Sequence, residues 1–300
     1  PTYRVFSKAV IAMNPVDGER RYFVIEEKMN KEEKKIYDLV VDILSSEIMA
    51  PDEIKDREKY LAIEATRVAK KYKIKLKEDV SWPKILYYIK RNLLGYGPID
   101  GLMRDPNIED ISCDGVGAPI YIWHRKYESM KTNIIFNSEE YLDEFIVKLV
   151  HRAGKHISTA FPILEYSLPE GHRVIVFYGR EVTGRGPGMT VRKFPEEPFT
   201  APKLLSYGTM SPLMMAYLWL FVENKAFMFV IGEMASGKTT TLQSLLTLVP
   251  IDAKIVTIED TPELRLPHTH WQPLYTRTSF AVSESSSRTE IGLMQLLKAS

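Results

Sequence analysis

Sulfur for crosslinking is nearly absent: Cys113 is the one cysteine in 300 residues, which excludes an intrachain disulfide framework and fits a reducing compartment. It has no metal-type neighbour in the sequence and reads as a small buried residue. An excess of one charge is also missing. Lys and Arg total 40 against 39 Asp and Glu, a net charge of +1, so no overall field argues for nucleic acid or an anionic membrane as partner. No run of about 18 uncharged apolar residues occurs, so nothing reads as membrane-spanning. The longest such stretch, residues 213–222, is expected to be a helix buried in a large core. Pro1-Thr-Tyr-Arg lacks the apolar region of a signal peptide. Repeats and low-complexity tracts are absent.

What is present is the composition of a globular protein, 45% hydrophobic and 26% charged, long enough for two or three domains. Residues 31–78 carry Lys, Glu and aliphatics at helical spacing. One stripe is Ile36, Leu39, Val40, Ile43 and Leu44; a looser one is Ile63, Thr66, Val68, Ala69 and Tyr72. Pro51-Asp-Glu between them fits a helix start. A third helix is expected from about Ser81 to Leu94, making residues 1–100 an N-terminal segment with a helical bundle whose charges form a solvated face. Residues 101–194 read as an α+β domain. Ile108–Asp114, Pro119–His124, His172–Tyr178 and Met189–Phe194 alternate as strands, and Tyr141–Ala153 has helical spacing. The Pro-rich residues 195–202 read as an extended linker, and 203–300 as a nucleotide-binding α/β domain.

The densest chemical signal lies in that last part. Gly232-Glu-Met-Ala-Ser-Gly-Lys-Thr-Thr240 satisfies G-x-x-x-x-G-K-[ST]. Phe227–Ile231 before it is expected to be a buried strand, and residues 240–248 after it a helix. In that context Gly232, Glu233, Met234, Ala235, Ser236, Gly237, Lys238, Thr239 and Thr240 would cradle phosphates. Successive backbone N–H groups and a helix N-terminus converge on one anion. Lys238 would reach the β- and γ-phosphates of ATP, and the Thr239 hydroxyl would bind Mg²⁺. Downstream, Ile255–Ile258 reads as a parallel strand delivering Glu259 and Asp260 at its carboxyl end, with Glu263 past a proline turn. Three carboxylates there can hold hydrated Mg²⁺, orient a water or sense a γ-phosphate; the plainer reading is a strand end with solvated acids. Pro267-His-Thr-His270 has no third ligand at metal spacing, so zinc is not expected.

The phosphate loop together with Thr257-Ile-Glu-Asp-Thr-Pro-Glu263 resembles the Walker A motif and acidic box of the secretion ATPases, the superfamily behind type II and type IV secretion, type IV pili and archaella. Gly95-Tyr-Gly-Pro-Ile-Asp100, Asp105-Pro-Asn-Ile-Glu-Asp-Ile111 and Thr190-Val-Arg-Lys-Phe194 resemble the entry and exit of that family's N-terminal domain, and the likeness is strongest to its archaeal branch. It covers roughly residues 80–300. The resemblance implies an ATP-hydrolysing, Mg²⁺-dependent hexameric ring with a RecA-like nucleotide domain. It also implies a polytopic membrane platform protein as partner, a location at the cytoplasmic face of the membrane, and no nucleic acid. Arg173 and Arg192 stand where the family carries arginines that reach nucleotide, and Glu259 joins Thr239 at the metal. Arg180 and Arg185, on the loop between the strands of Arg173 and Arg192, are weaker candidates, and Arg265 and Arg277 after the acidic segment could act across a subunit boundary.

The family's Walker B strand and the glutamate usually assigned as general base do not occur by residue 300, and residues 290–300 stop inside a helical pattern, so the chain is expected to continue. Three other readings stand beside the motor. They are a non-hydrolysing nucleotide-binding assembly or regulatory module, a small-molecule kinase on the same loop, and a DNA-translocating relative.

Overall fold

Asn30 and Glu33 open the first long helix by capping each other. The Glu33 amide donates to Asn30 Oδ1 and the Asn30 amide to Glu33 Oε2, both at 2.8 Å, which satisfies two otherwise orphaned donors. Helix α1 (Lys31–Glu47) packs with α2 (Arg57–Lys71) and α3 (Trp82–Leu93). In the computed structural model, residues 6–47, 56–74, 80–180, 182–194, 198–233, 236–260, 262–276 and 291–299 are described; the helix start expected at Pro51 lies outside them. Asp56 caps α2, accepting from the Lys59 amide at 2.9 Å. The bundle core is Val40, Leu44, Leu61, Ala65, Val68, Ile85 and Ile89. Two expectations are corrected here. Ile63 and Tyr72 are exposed, because the buried face of α2 runs through Leu61, Ala65 and Val68; an aliphatic ladder at i, i+4, i+7 decides which side faces inward. The bundle's charges are also not all solvated. Glu33 and Lys84 are both buried, 3.0 Å apart, and the Ser81 amide adds a hydrogen bond to Glu33.

The chain divides into two compact units, residues 1–151 with 177–191 and residues 152–176 with 192–300. The first holds, besides the bundle, six strands in the order β1-β2-β5-β4-β3-β8. They are β1 (Ser7–Met13), β2 (Arg20–Glu26), β3 (Ile108–Cys113), β4 (Pro119–His124), β5 (Glu128–Ile135) and β8 (Gly188–Arg192). The β1–β2, β3–β4 and β4–β5 pairs are antiparallel and β2–β5 is parallel. Strand β3 buries Ile108, Ile111 and Cys113; a register shift between Ile108 and Asp110 breaks the strict alternation of a half-buried strand. A short α4 (Asp100–Arg104) and the longer α5 (Glu139–Arg152) complete the unit. The β1–β2 hairpin carries no helix-period pattern and was not anticipated; its register follows from the Asn14–Gly18 turn, where the Gly18 amide donates to Asn14 O at 2.9 Å.

The second unit contains β6 (Ile163–Ser167) next to β7 (Arg173–Phe177), then helices α6 (Ala201–Ser206), α7 (Pro212–Glu223) and α8 (Lys238–Leu246). Beyond them, β9 (Ile255–Glu259) pairs in parallel with β10 (Trp271–Tyr275), and α9 (Leu293–Ala299) follows. The assembly is thus mixed α/β with a large sheet. The stretch read as linker is helical from Ala201, with Pro202 in the first turn, where its missing N–H costs nothing; residues 195–197 lie outside the described set. Two further expectations fail. Residues 227–231 form no strand, and Phe227, Phe229 and Ile231 are 85%, 76% and 86% exposed. A β-strand needs a neighbour to take its backbone hydrogen bonds, and among the described residues none lies alongside. Helix α7 is likewise not enclosed: Met215 is buried against Ala201, Leu204 and Leu245, while Leu213, Tyr217 and Leu220 face solvent. Hydrophobic content all round a helix predicts burial, but only one edge of α7 has something to pack on.

Candidate functional site

Gly237 is the residue before α8 and adopts φ +86°, in the left-handed region open to glycine. The helix therefore begins at Lys238, two residues earlier than its apolar spacing suggests. Its first-turn N–H groups have no partner within the helix and, with the helix dipole, favour an anion at that end. Gly232 is needed for close approach. A Cβ there would stand 2.5 Å from Ser236 Oγ, so a side chain would make the Ser236 hydroxyl turn away. The half-buried Lys238 turns its ammonium back over the loop and donates to the Glu233 carbonyl at 2.5 Å. Thr239 is exposed in the first turn of α8, and Thr240 is half-buried beside it. Met234 and Ala235 lie outside the described residues.

Strand β9 delivers Glu259 at its carboxyl end, as its β-branched run leads one to expect. One carboxylate oxygen, Oε2, accepts from the Glu263 and Leu264 amides, both at 2.9 Å. The other, Oε1, is buried without a hydrogen-bond partner. Burial and the neighbouring Glu259 charge push the Tyr275 hydroxyl up from its usual value. Asp260 Oδ1 accepts from Thr276 Oγ1 at 3.0 Å. Glu263 meets Glu259 through its main chain, while the Asp260 side chain is exposed, so of the three acids only Glu259 has a carboxylate oxygen buried without a partner. An unpaired oxygen on a pinned carboxylate is the donor type that a hard divalent cation takes. Glu259 Oε1 and the exposed Thr239 hydroxyl are oxygen donors of the kind Mg²⁺ takes, although among the described residues no group of three His, Cys, Asp or Glu side chains stands together to hold a metal ion.

Polar side chains that no motif marks hold these elements together. Gln243, on α8, grips the main chain of Arg265: the Arg265 amide donates to Oε1 at 2.7 Å, and Nε2 donates to the Arg265 carbonyl at 2.5 Å. Ser244 Oγ donates to Phe199 O at 3.0 Å and Trp271 Nε1 to Thr257 Oγ1 at 3.0 Å. No sequence signal finds them, since the pairs lie 14 to 45 positions apart.

The arginines go to several places. Arg173, at the start of β7, is ion-paired with Glu165, and its Nε is buried without a partner. Arg192 is exposed at the end of β8. Arg180 is held by Glu139, with Nε at 2.8 Å and Nη2 at 2.5 Å. The Arg185 carbonyl lies against Gly115, and Arg265 Nη2 donates to Glu170 O at 2.5 Å. Arg277 lies outside the described residues. His268 is buried with Nε2 2.9 Å from Val249 O, and His270 is exposed.

Comparison with known proteins gives the family of the chain. The family model described as "Type II/IV secretion system protein" matches residues 95–299. An uncharacterised protein of Methanocaldococcus jannaschii is 38% identical over 216 residues, 72% of this chain and 38% of that protein. A second from the same archaeon is 40% identical over 180 residues, 59% of this chain and 71% of its own length. The type IV secretion system protein VirB11 of Bartonella henselae is 27% identical over 240 residues, 67% of this chain and 64% of VirB11. The chain thus spans well under half of the first of these relatives and just under two thirds of the third. With more than half its length matched, the chain belongs to the type II/IV secretion system protein family, on its archaeal branch.

Proposed function

We propose that this chain is the N-terminal and central part of an ATP-hydrolysing motor that powers secretion, or the assembly of pilus-like or archaellar filaments. The observation that carries the reading is the glycine-capped loop ahead of α8 combined with the braced, half-unpaired Glu259 at the end of β9. Residues 203–300 would be the core of a RecA-like nucleotide domain and 101–194 the α+β domain ahead of it.

In this reading the Gly232–Thr240 backbone binds the β- and γ-phosphates of ATP, and the Lys238 ammonium exchanges the Glu233 carbonyl for phosphate oxygen. Thr239 Oγ1 and Glu259 Oε1 would hold Mg²⁺. When bound, that ion neutralises charge developing on the phosphates. Asp260 and Glu263 orient water at the same edge. Arg173 and Arg192 serve as phosphate clamps; a planar guanidinium can hold two oxygens at once. Arg173 must leave Glu165 to do so. The working form is a hexameric ring at the cytoplasmic face of the membrane, acting on a polytopic platform protein. A span of its own is not required: no helix among the described residues is long and apolar enough to cross a bilayer.

The test is Mg²⁺-dependent ATP turnover of the full-length protein as a function of its concentration, beside Lys238→Ala and Arg173→Ala. Turnover should rise steeply with concentration and fall at least about 100-fold in both variants. ATP binding without turnover at any concentration would replace the motor by a nucleotide-regulated assembly module.

A further inference from the structure

Arg265 was expected, at most, to serve a neighbouring subunit, yet both its ends are engaged inside the second unit. Its main chain is clamped at two points by Gln243, which is 6% exposed. Gln243 stands on α8 five residues after Lys238, so the clamp moves with the phosphate-loop helix. The preceding residues, Glu263 and Leu264, donate their amides to Glu259. Arg265 is therefore fixed at its backbone to both halves of the candidate nucleotide site.

Its guanidinium reaches the tight turn between β6 and β7. There Nη2 donates to Glu170 O at 2.5 Å. Gly171, at φ +92°, leaves the room: a Cβ at this position would lie 2.6 Å from Nη2. The turn is closed by the Gly171 amide on Leu168 O and the Leu168 amide on His172 O, both at 2.8 Å. Glu170 also takes Arg152 through its carboxylate at 2.7 Å. Two residues past Gly171, β7 begins at Arg173. The two ends of Arg265 are unequal. A buried two-point amide clamp is costly to break, whereas one exposed hydrogen bond to a carbonyl exchanges readily with water. Displacement of α8 would thus be passed to the turn, or released there.

We propose that Arg265 is a positioning residue that couples the phosphate-loop helix to the β6–β7 turn, so that nucleotide at α8 sets the conformation of the segment leading into Arg173. The inference rests on the reading of α8 as a nucleotide-binding helix.

Hydrogen exchange of the Leu168–His172 amides tests it on the whole chain, with and without Mg·ADP, while the affinity for Mg·ADP is measured separately by calorimetry. In the wild type, nucleotide should change exchange at these amides by at least about fivefold, the usual lower range for coupled sites. Arg265→Ala should abolish that response while still binding Mg·ADP, and Arg265→Lys, which keeps a donor, should recover part of it. Gln243→Ala releases the other end and should have the same effect, giving a second route should Arg265→Ala not fold. An undiminished response in Arg265→Ala and Gln243→Ala, or no response in wild type that demonstrably binds Mg·ADP, would overturn the coupling. Absence of Mg·ADP binding in the wild type would remove the nucleotide site and this inference together, and the calorimetry alone would reveal it.

Discussion

Glu259 shows how one side chain can carry two separable duties. Its Oε2 braces the acidic turn through two amides, and its Oε1 is left over. Glu259→Gln keeps an acceptor oxygen for the amides while removing the charge. It should cost about 1 kcal/mol, less than losing the amide bonds outright, yet lower ATP turnover by about 100-fold. Glu259→Ala strips the amides as well and should cost about 1–3 kcal/mol. Denaturant unfolding alongside ATP turnover separates the two, and a Gln variant as unstable as the Ala variant would mean that the amides require the charge. At this scale the left-handed Gly237 and a helix start just after it were legible, because a glycine turn before a helix is a matter of local backbone geometry. Gln243, Glu165 and Glu170 were not. Their importance lies in partners such as Arg265 and Arg173, and sequence spacing does not encode which distant group a glutamine or glutamate will meet.

Among the elements, the α1–α3 contact depends on Glu33 and Lys84. Burial pushes the Glu33 carboxyl up, but hydrogen bonds from the Asn30 and Ser81 amides and from Lys84 outweigh it and hold Glu33 below its ordinary value of 4.5. Burial similarly depresses Lys84, and its bonds to Glu33 and Glu27 raise it above 10.5 on balance. A lowered carboxyl contributes stability above its unfolded value and loses it as pH falls through the folded one; a raised amine contributes below its unfolded value and loses it as pH rises through the folded one. The pair should therefore support the bundle fully between about 5 and 10 and fail on both sides. Glu33→Gln should cost about 1–3 kcal/mol at neutral pH, because it removes the buried carboxylate and leaves Lys84 with Glu27 as its one carboxylate partner. It should also flatten the acid limb of a stability–pH curve measured by urea unfolding. An unchanged acid limb would place the acid sensitivity elsewhere. The helices themselves followed from periodicity, whereas the buried pair did not: charged residues at helical spacing ordinarily mark a solvated face.

For the molecule as a whole, the apolar surface is distributed unevenly. The bundle and the β3–β5 strands have enclosed cores, while α7 and residues 227–231 leave large side chains in water. Exposed positions contribute little to folding, so Tyr217→Lys and Leu220→Lys should each change the stability of this chain by no more than about 0.5 kcal/mol. Thermal unfolding of the two variants measures this; a loss of several kcal/mol would show that the face is packed in solution. The amino-acid sequence by itself determined the features that need only neighbours along the chain. These are the helices α1, α3, α5 and α8, strands β3, β4 and β9, the phosphate-loop pattern, the acids that follow it, and the family. Only the tertiary structure decided which apolar segments are covered, that Glu33 and Lys84 go inside, that Glu259 keeps one oxygen unpaired, and that Arg265 turns toward Glu170. The physical reason is the same throughout. Periodicity and turn chemistry are local, but burial, strand pairing and the partner of a buried charge depend on what another part of the chain brings alongside.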